Sequence, residues 1–314
     1  MEAVVIRNGD LVVESRPDPV PGSTELLVAV RGAGLNGADM VQRRGRYPAP
    51  PGVPADIPGL EIAGVVTAVG GQVTRFAPGD RVMALVGGGG QATMACVDEI
   101  HALPVPDGLS WPGAGGFPEV FSTAYDALFD QAGLTMGERV LVSGAAGGVG
   151  TAAVQLAAAT GAEVVASVRD PARRDEVAAL GAAVVVAPSD AGDHGPYDVI
   201  LELVGAASLQ SAFGALAGGG RVVVIGVAGG GNELGLDLLL LMSKRGRISG
   251  STLRSRDRQA KATVADGVAA HVLPLVRSGR LRVPVLEAFP LAEAAAAYDR
   301  FTAGGKLGKI VLVN

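Results

Sequence analysis

Cysteine is almost missing from this chain of 314 residues. Cys96 is the only one, so no internal disulfide framework can form, and a cytoplasmic setting is expected. Imidazoles are scarce as well: His101, His194 and His271 are far apart, and no CxxC or HExxH spacing occurs. A metal site is therefore not expected. No apolar run is long enough for a bilayer. The longest candidate, Leu234–Met242, contains Asp237 and has about half the length a span needs. The start, MEAVVIRNGD, lacks a signal-peptide pattern, so no membrane partner is expected. Positive charge is not in excess; the formal net charge is −5, which argues against a nucleic-acid partner. No G-x-S-x-G occurs, which leaves serine-hydrolase chemistry without support.

What the chain does have is one organising stretch, Arg139–Gly161, RVLVSGAAGGVGTAAVQLAAATG. The short apolar run Val140–Val142 leads into a glycine-rich turn over 144–150. Helical spacing follows over 149–160, with Gly161 placed to stop it. Strand, glycine turn and helix are the context that gives a dinucleotide fingerprint its meaning. Such a turn bends tightly, and the exposed amides at the helix start hold a pyrophosphate. The spacing departs from G-x-G-x-x-G, because Ala145, Gly147 and Gly150 fill the three positions and Gly144 and Gly148 are extra. A purely structural glycine loop is the alternative, and the flanking elements weigh against it. A P-loop fails for want of a Lys-Ser or Lys-Thr pair.

A length of 314 residues suggests about two domains. Up to about residue 118 the chain reads as β-rich. Residues 3–6 and 11–14 form a hairpin pattern around Asn8-Gly9, 25–32 alternates, and 48–58 is a Pro-rich loop. Further strands are expected at 60–69, 80–85 and 91–97, and many short strands between turn signals suggest a small barrel. The run Gly87–Gly90 reads as a plain flexible loop from composition. After Pro118 the period changes. A helix is expected over 119–131, then strand 139–143, helix 149–160, strand 163–168, helix 171–180, strand 183–187, strand 198–204, helix 208–217 and strand 221–227. Alternation at this spacing means a parallel sheet with helices on both faces. The link 187–196 shows no helical pattern and is expected to be a bare loop. Helix 236–244, strand 246–250, helix 259–278 and strand 309–313 complete the chain. The expected domains are 1–118, completed by 256–314, and 119–255, with a ligand cleft between them.

VSGAAGGVGTAAVQLA, GLNGADMVQRRGRYPAPPG, PGLEIAGVVTAVG, GGGGQA, FPEVFSTAYDAL, STLRSRD and GKIVL occur in order along nearly the whole chain. Together they resemble the quinone oxidoreductases among the zinc-free medium-chain dehydrogenase/reductases. The resemblance implies an α/β chain with a GroES-like β-barrel domain and a doubly wound Rossmann domain, a homodimer, and NADPH-dependent reduction of quinones. Zinc relatives of this architecture carry Cys near Asn36, His near Leu60 and Cys near Ser122, and none of these is present here. Glu61 resembles the glutamate beside their metal and is expected here in a structural ion pair.

An NAD site wants a carboxylate at the end of the second strand. Here Ser167 and Val168 end the strand, followed by Arg169 and Asp170. Asp170 precedes Pro171 and reads as a helix cap, with a ribose ligand as the alternative. Arg169, with Arg173 or Arg174, is then a candidate for a 2′-phosphate; for Arg173 and Arg174 the alternative is a solvated helix face. Ala146, Gly147, Gly148 and Val149 are the candidate pyrophosphate contacts. Asn36 and Tyr47 are the candidates for substrate chemistry. The residue-level alternatives are a turn or cap role for Asn36 and loop packing for Tyr47. The resemblance puts both by the substrate and Tyr47 beside the nicotinamide. Thr123 similarly resembles a nicotinamide contact, with a self-bonded mid-helix threonine as the alternative. Gly205, Gly226, Val227 and Thr252 align with cofactor loops at strand ends. Arg254 and Arg256 read either as surface charges or as steering groups for the anionic cofactor. Three functions remain open: an NADPH-dependent quinone reductase, a reductase of activated C=C bonds such as an enone or enoyl thioester, and a non-enzymatic NADPH-binding protein.

Overall fold

The computed structural model describes every residue except Ala228 and Gly230. The chain divides into two compact units, one of residues 1–122, 253–304 and 309–314, the other of 123–252 and 305–308. The chain crosses from one unit to the other at 122/123 and 252/253, a few residues from the 118/119 and 255/256 expected from sequence.

The first unit opens with the hairpin β1 (Glu2–Arg7) and β2 (Asp10–Ser15). Asn8 and Gly9 both take positive φ, 52° and 89°, the geometry that suits the right-handed twist of a two-residue hairpin. Next come β3 (Glu25–Gly34), helix α1 (Gly37–Arg43), β4 (Glu61–Val69), β5 (Arg81–Leu85), β6 (Met94–Asp98) and β7 (Ala102–Pro104). The short helix α2 (Trp111–Gly115) leads into α3 (Pro118–Tyr125). The helix expected over 119–131 is not uniform: α3 gives way to a π-helical segment, Asp126–Gln131.

The second unit holds β8 (Arg139–Val142), α4 (Gly148–Thr160), β9 (Glu163–Ser167), α5 (Arg174–Ala178), β10 (Val184–Val186), β11 (Tyr197–Glu202), α6 (Ala206–Phe213), β12 (Leu216–Val224), α7 (Leu238–Lys244) and β13 (Arg247–Gly250). Its sheet runs β10-β9-β8-β11-β12-β13, with every pair parallel. The order reverses between β8 and β11, the switch point of a doubly wound fold. Two expectations need correction here. The 187–196 link is not bare but carries a 3₁₀ run, Pro188–His194, tied down by the Tyr197 hydroxyl on the Ala191 carbonyl at 2.6 Å. Strand β12 begins at Leu216, inside the stretch expected to be helix, because three successive glycines at 218–220 break the helical pattern there.

The chain then returns to the first unit through α8 (Arg258–His271), α9 (Leu273–Arg277), β14 (Val285–Pro290), α10 (Ala294–Thr302) and β15 (Lys309–Val313). The second of these strands pairs with β3, which gives the order β14-β15-β3-β4-β5-β7, with β6 also on β3. Leu26, Val28, Ile62, Val82, Ala84 and Val97 fill the interior of this sheet.

Candidate functional site

In the second unit the glycine turn between β8 and α4 has the shape expected of a phosphate cradle. Gly144 sits at φ 62°, a conformation that a side chain strains. The turn closes through Gly147 N to the Gly144 carbonyl, 3.0 Å, and is held to the neighbouring strand by Ala145 N on the Ser167 carbonyl, 3.1 Å. A Cβ on Gly150 would lie 2.7 Å from the Cα of Ala145, so only glycine lets the helix come this close to the turn that precedes it. Gly147 is the N-cap of a 13-residue helix with no side-chain cap. Its first-turn amides, at Gly148 and Val149, lack intrahelical acceptors and carry the positive end of the dipole. These features fit the pyrophosphate of a dinucleotide. Gly226 is a second close approach: a Cβ there would be 2.7 Å from the Leu203 carbonyl. Gly205, at φ 136°, caps α6, and the buried Glu202 braces it, its Oε1 accepting from Val204 N at 2.7 Å and Gly205 N at 2.8 Å. Val227 is 42% exposed, Thr252 is exposed, and Thr123 is buried.

At the end of β9, Ser167 is buried and Arg169 is exposed. Asp170 caps the turn after it, its Oδ1 accepting from Ala172 N at 3.0 Å. Arg173 is committed elsewhere: Nε and Nη2 donate to the Gly305 carbonyl at 3.2 and 3.0 Å, and Nη1 pairs with Glu176 at 2.6 Å. Among the described residues neither Arg169 nor Arg174 has a partner in the protein: Arg169 is exposed, whereas Arg174 is half-buried with its Nε unsatisfied. The segment 305–308 was not legible as part of this site. It lies across the glycine turn, with Gly308 N donating to the Ala146 carbonyl at 2.9 Å.

In the first unit, Asn36 caps α1 and is the centre of a buried polar cluster. Its Nδ2 donates to Glu61 Oε1 at 3.0 Å and to the Gly34 carbonyl at 3.2 Å. Its Oδ1 accepts from Lys309 Nζ at 2.7 Å, which also fixes which end of the amide faces which way. Both amide hydrogens are thus used inside the protein, so the substrate contact expected of this side chain has no donor left to make it. Glu61 stands in the expected ion pair, and its partner is Lys309 at 2.6 Å, with side chains 0% and 3% exposed. Glu61 Oε2 also accepts from Glu119 N at 2.9 Å. Asp39, on α1, accepts from Asn36 N at 2.8 Å and Gly59 N at 3.2 Å. Burial pushes its pKa up to about 6, against the pull of those amides and of Lys309.

Tyr47 lies in the irregular loop after α1, half-buried, with no partner for its hydroxyl among the described residues. Arg254 stacks on its ring, with the guanidinium carbon 4.7 Å from the centroid. Expected on the surface or on the cofactor, Arg254 is instead 6% exposed. It is bonded through Nε to the Gly87 carbonyl (2.7 Å), Nη1 to the Tyr47 carbonyl (3.1 Å) and Nη2 to Gln42 Oε1 (2.8 Å). The glycine run is correspondingly a packed loop, not a free one: a Cβ on Gly88 would lie 2.8 Å from the Val53 side chain. A cavity of about 10 Å³ lined by Leu85, His101, Ser122, Leu253 and Lys261 has room for about one water, not for a substrate ring. Cys96 is half-buried on β6, its thiol pushed up to about 11 chiefly by burial.

A doubly wound sheet with this cradle, in a chain that also holds a separate GroES-like unit, defines the class: an oxidoreductase that works with a pyridine nucleotide. Residues 148–268 match the zinc-binding dehydrogenase family and 22–130 the alcohol dehydrogenase GroES-like domain. The mouse quinone oxidoreductase is 32% identical over 311 residues, 94% of this chain and 91% of that protein. The spectinabilin polyketide synthase system protein NorB of Streptomyces orinoci is 36% identical over 319 residues, 96% of this chain, which spans only 14% of that much longer protein. Among solved structures, a mycobacterial protein complexed with NADPH superposes with a TM-score of 0.89 at 26% identity, covering 100% of both chains. The chain belongs to the medium-chain dehydrogenase/reductases, in the quinone oxidoreductase family.

The zinc named by one of those domains finds no donor set here. The positions where zinc relatives carry Cys, His and Cys are near Asn36, whose amide is committed, Leu60, which is apolar, and Ser122, a buried hydroxyl. Among the described residues no group of three His, Cys, Asp or Glu could hold a metal ion. The residues present do not fit zinc.

Proposed function

We propose that the protein is an NADPH-dependent quinone reductase that works without a metal. The observation that supports the cofactor choice is the end of β9, where Asp170 serves as a cap through Oδ1 and Arg169 beside it is exposed with no partner among the described residues. NADPH supplies a hydride when bound. The chain's own part is to hold the phosphates on the first-turn amides of α4, to meet the 2′-phosphate with Arg169, and to present Tyr47 to the acceptor. Little acid–base machinery is required, since the cofactor carries the chemistry and the protein orients and shields it. The quinone oxidoreductase relatives support the acceptor class.

A second reading is an NADPH-dependent reductase of activated C=C bonds. The 36% identity to two polyketide synthase proteins favours it. A panel of quinones, enones and enoyl thioesters, followed by NADPH absorbance, separates the two. Turnover with quinones above the enones supports the first reading; turnover confined to enones or thioesters replaces it with the second. Binding of NADPH with no oxidation by any acceptor would leave a non-enzymatic role.

A further inference from the structure

We infer that Arg254 is the positioning residue of Tyr47, a clamp that fixes the tyrosine ring and the loop that carries it. The inference rests on the reading of Tyr47 as a substrate-side residue. Neither a surface charge nor a steering group accounts for a guanidinium that is 6% exposed. Burying a cation is costly unless its hydrogens are satisfied. The three bonds described here all run to neutral oxygens, and the ring face of Tyr47 covers the guanidinium plane at 4.7 Å. A planar fork can stack and bond in three directions at once, and an ammonium cannot. Those three directions reach three separate pieces of chain: Gln42 on α1, the backbone of Tyr47, and Gly87 in the glycine run. Gly88 lets the run come close, since a Cβ there would lie 3.4 Å from Nη2 of Arg254. Tyr47 itself sits in a stretch with no regular element between α1 and β4, and its hydroxyl has no partner among the described residues. The clamp thus settles where the ring points while leaving the hydroxyl available to a ligand.

Fluorine NMR of protein labelled with 3-fluorotyrosine tests the clamp without reference to turnover. The chain has four tyrosines, and the Tyr47 line is identified by its loss in Tyr47→Phe. In Arg254→Met that line should shift and broaden while the other three stay. Arg254→Lys, which keeps the charge and is the second variant should the first fail to fold, should move it too. Kinetically, Arg254→Met should lower kcat/KM by roughly tenfold or more, and Arg254→Lys should not restore it. In a Tyr47→Leu background Arg254→Met should cost nothing further. An unmoved Tyr47 line, or losses that simply multiply in the double variant, would overturn the inference. If Tyr47→Leu alone leaves turnover with every acceptor intact, the substrate-side reading of Tyr47 falls, and the clamp is then judged on the NMR line alone.

Discussion

At the scale of single residues, charge and burial decide most of what can be tested. Arg169 is exposed and has no partner among the described residues, and a guanidinium offers two coplanar donors to a phosphate. Such a contact is typically worth about 1.5–3 kcal/mol. Arg169→Ala should therefore weaken NADPH by roughly ten- to a hundredfold and NADH far less, whereas Asp170→Asn, which keeps the cap, should leave the preference in place. Dissociation constants for both nucleotides check this, and an equal loss for the two would return Asp170 to the ribose. Lys309 and Glu61 form a buried pair. Lys309→Met strands the Glu61 carboxylate and should cost about 3–5 kcal/mol in denaturant unfolding, with Glu61→Met in the same chain recovering much of it. Asp39 has a pKa raised to about 6 from 3.8. Its folded form binds the proton more tightly than the unfolded chain does. Its contribution to stability is thus full below pH 3.8 and is lost as pH rises towards about 6, by about 3 kcal/mol. Asp98 and Glu138, both lowered, slope the other way, so the measurement is the difference between wild type and Asp39→Asn across pH 4 to 6. That difference should fall with pH; a flat difference would show that Asp39 keeps an ordinary pKa.

Among the elements, β13 and α7 stand out by what they leave uncovered. Among the described residues strand β13 pairs only with β12 and ends the six-stranded sheet. Ile248 on it is 37% exposed, and Leu238, Leu239 and Met242 on α7 are 64%, 77% and 70% exposed. An apolar sheet edge with free backbone groups is an aggregation hazard unless it is paired, and pairing across a two-fold axis would bury both features at once. Light scattering at micromolar concentration is expected to report a dimer, and Ile248→Lys with Leu239→Lys should shift it towards monomer. A well-behaved monomer in the wild type would refute the arrangement.

For the molecule as a whole, the donor chemistry predicts metal independence. Elemental analysis of active protein should find no stoichiometric zinc, and exhaustive chelation should leave the rate unchanged; activity lost to a chelator and restored by zinc would reverse this. No described helix is long and apolar enough to cross a membrane.

The local sequence was enough for those features whose causes are local. The Asn8-Gly9 hairpin, the strand–turn–helix over 139–160, the Asp170-Pro171 cap and the alternation of the second unit all follow from backbone sterics, turn chemistry and periodicity within a few residues. Three things needed the tertiary structure, because their causes lie far apart in the chain. Lys309 meets Asn36 and Glu61 across more than 240 positions, so no window could disclose the ion pair or the commitment of the Asn36 amide. Arg254 meets Gln42, Tyr47 and Gly87 across 167 to 212 positions, which turned an apparent surface charge into a buried clamp. The strand β14 and helix α10 were also missed; β14 is a short strand with no buried residue. They are set in place by packing: β14 lies beside β15, and Ala294, Ala297 and Tyr298 of α10 join Leu35, Met40 and Ile310 in one core. Propensity is a property of neighbours in sequence, whereas burial and charge pairing are properties of neighbours in space.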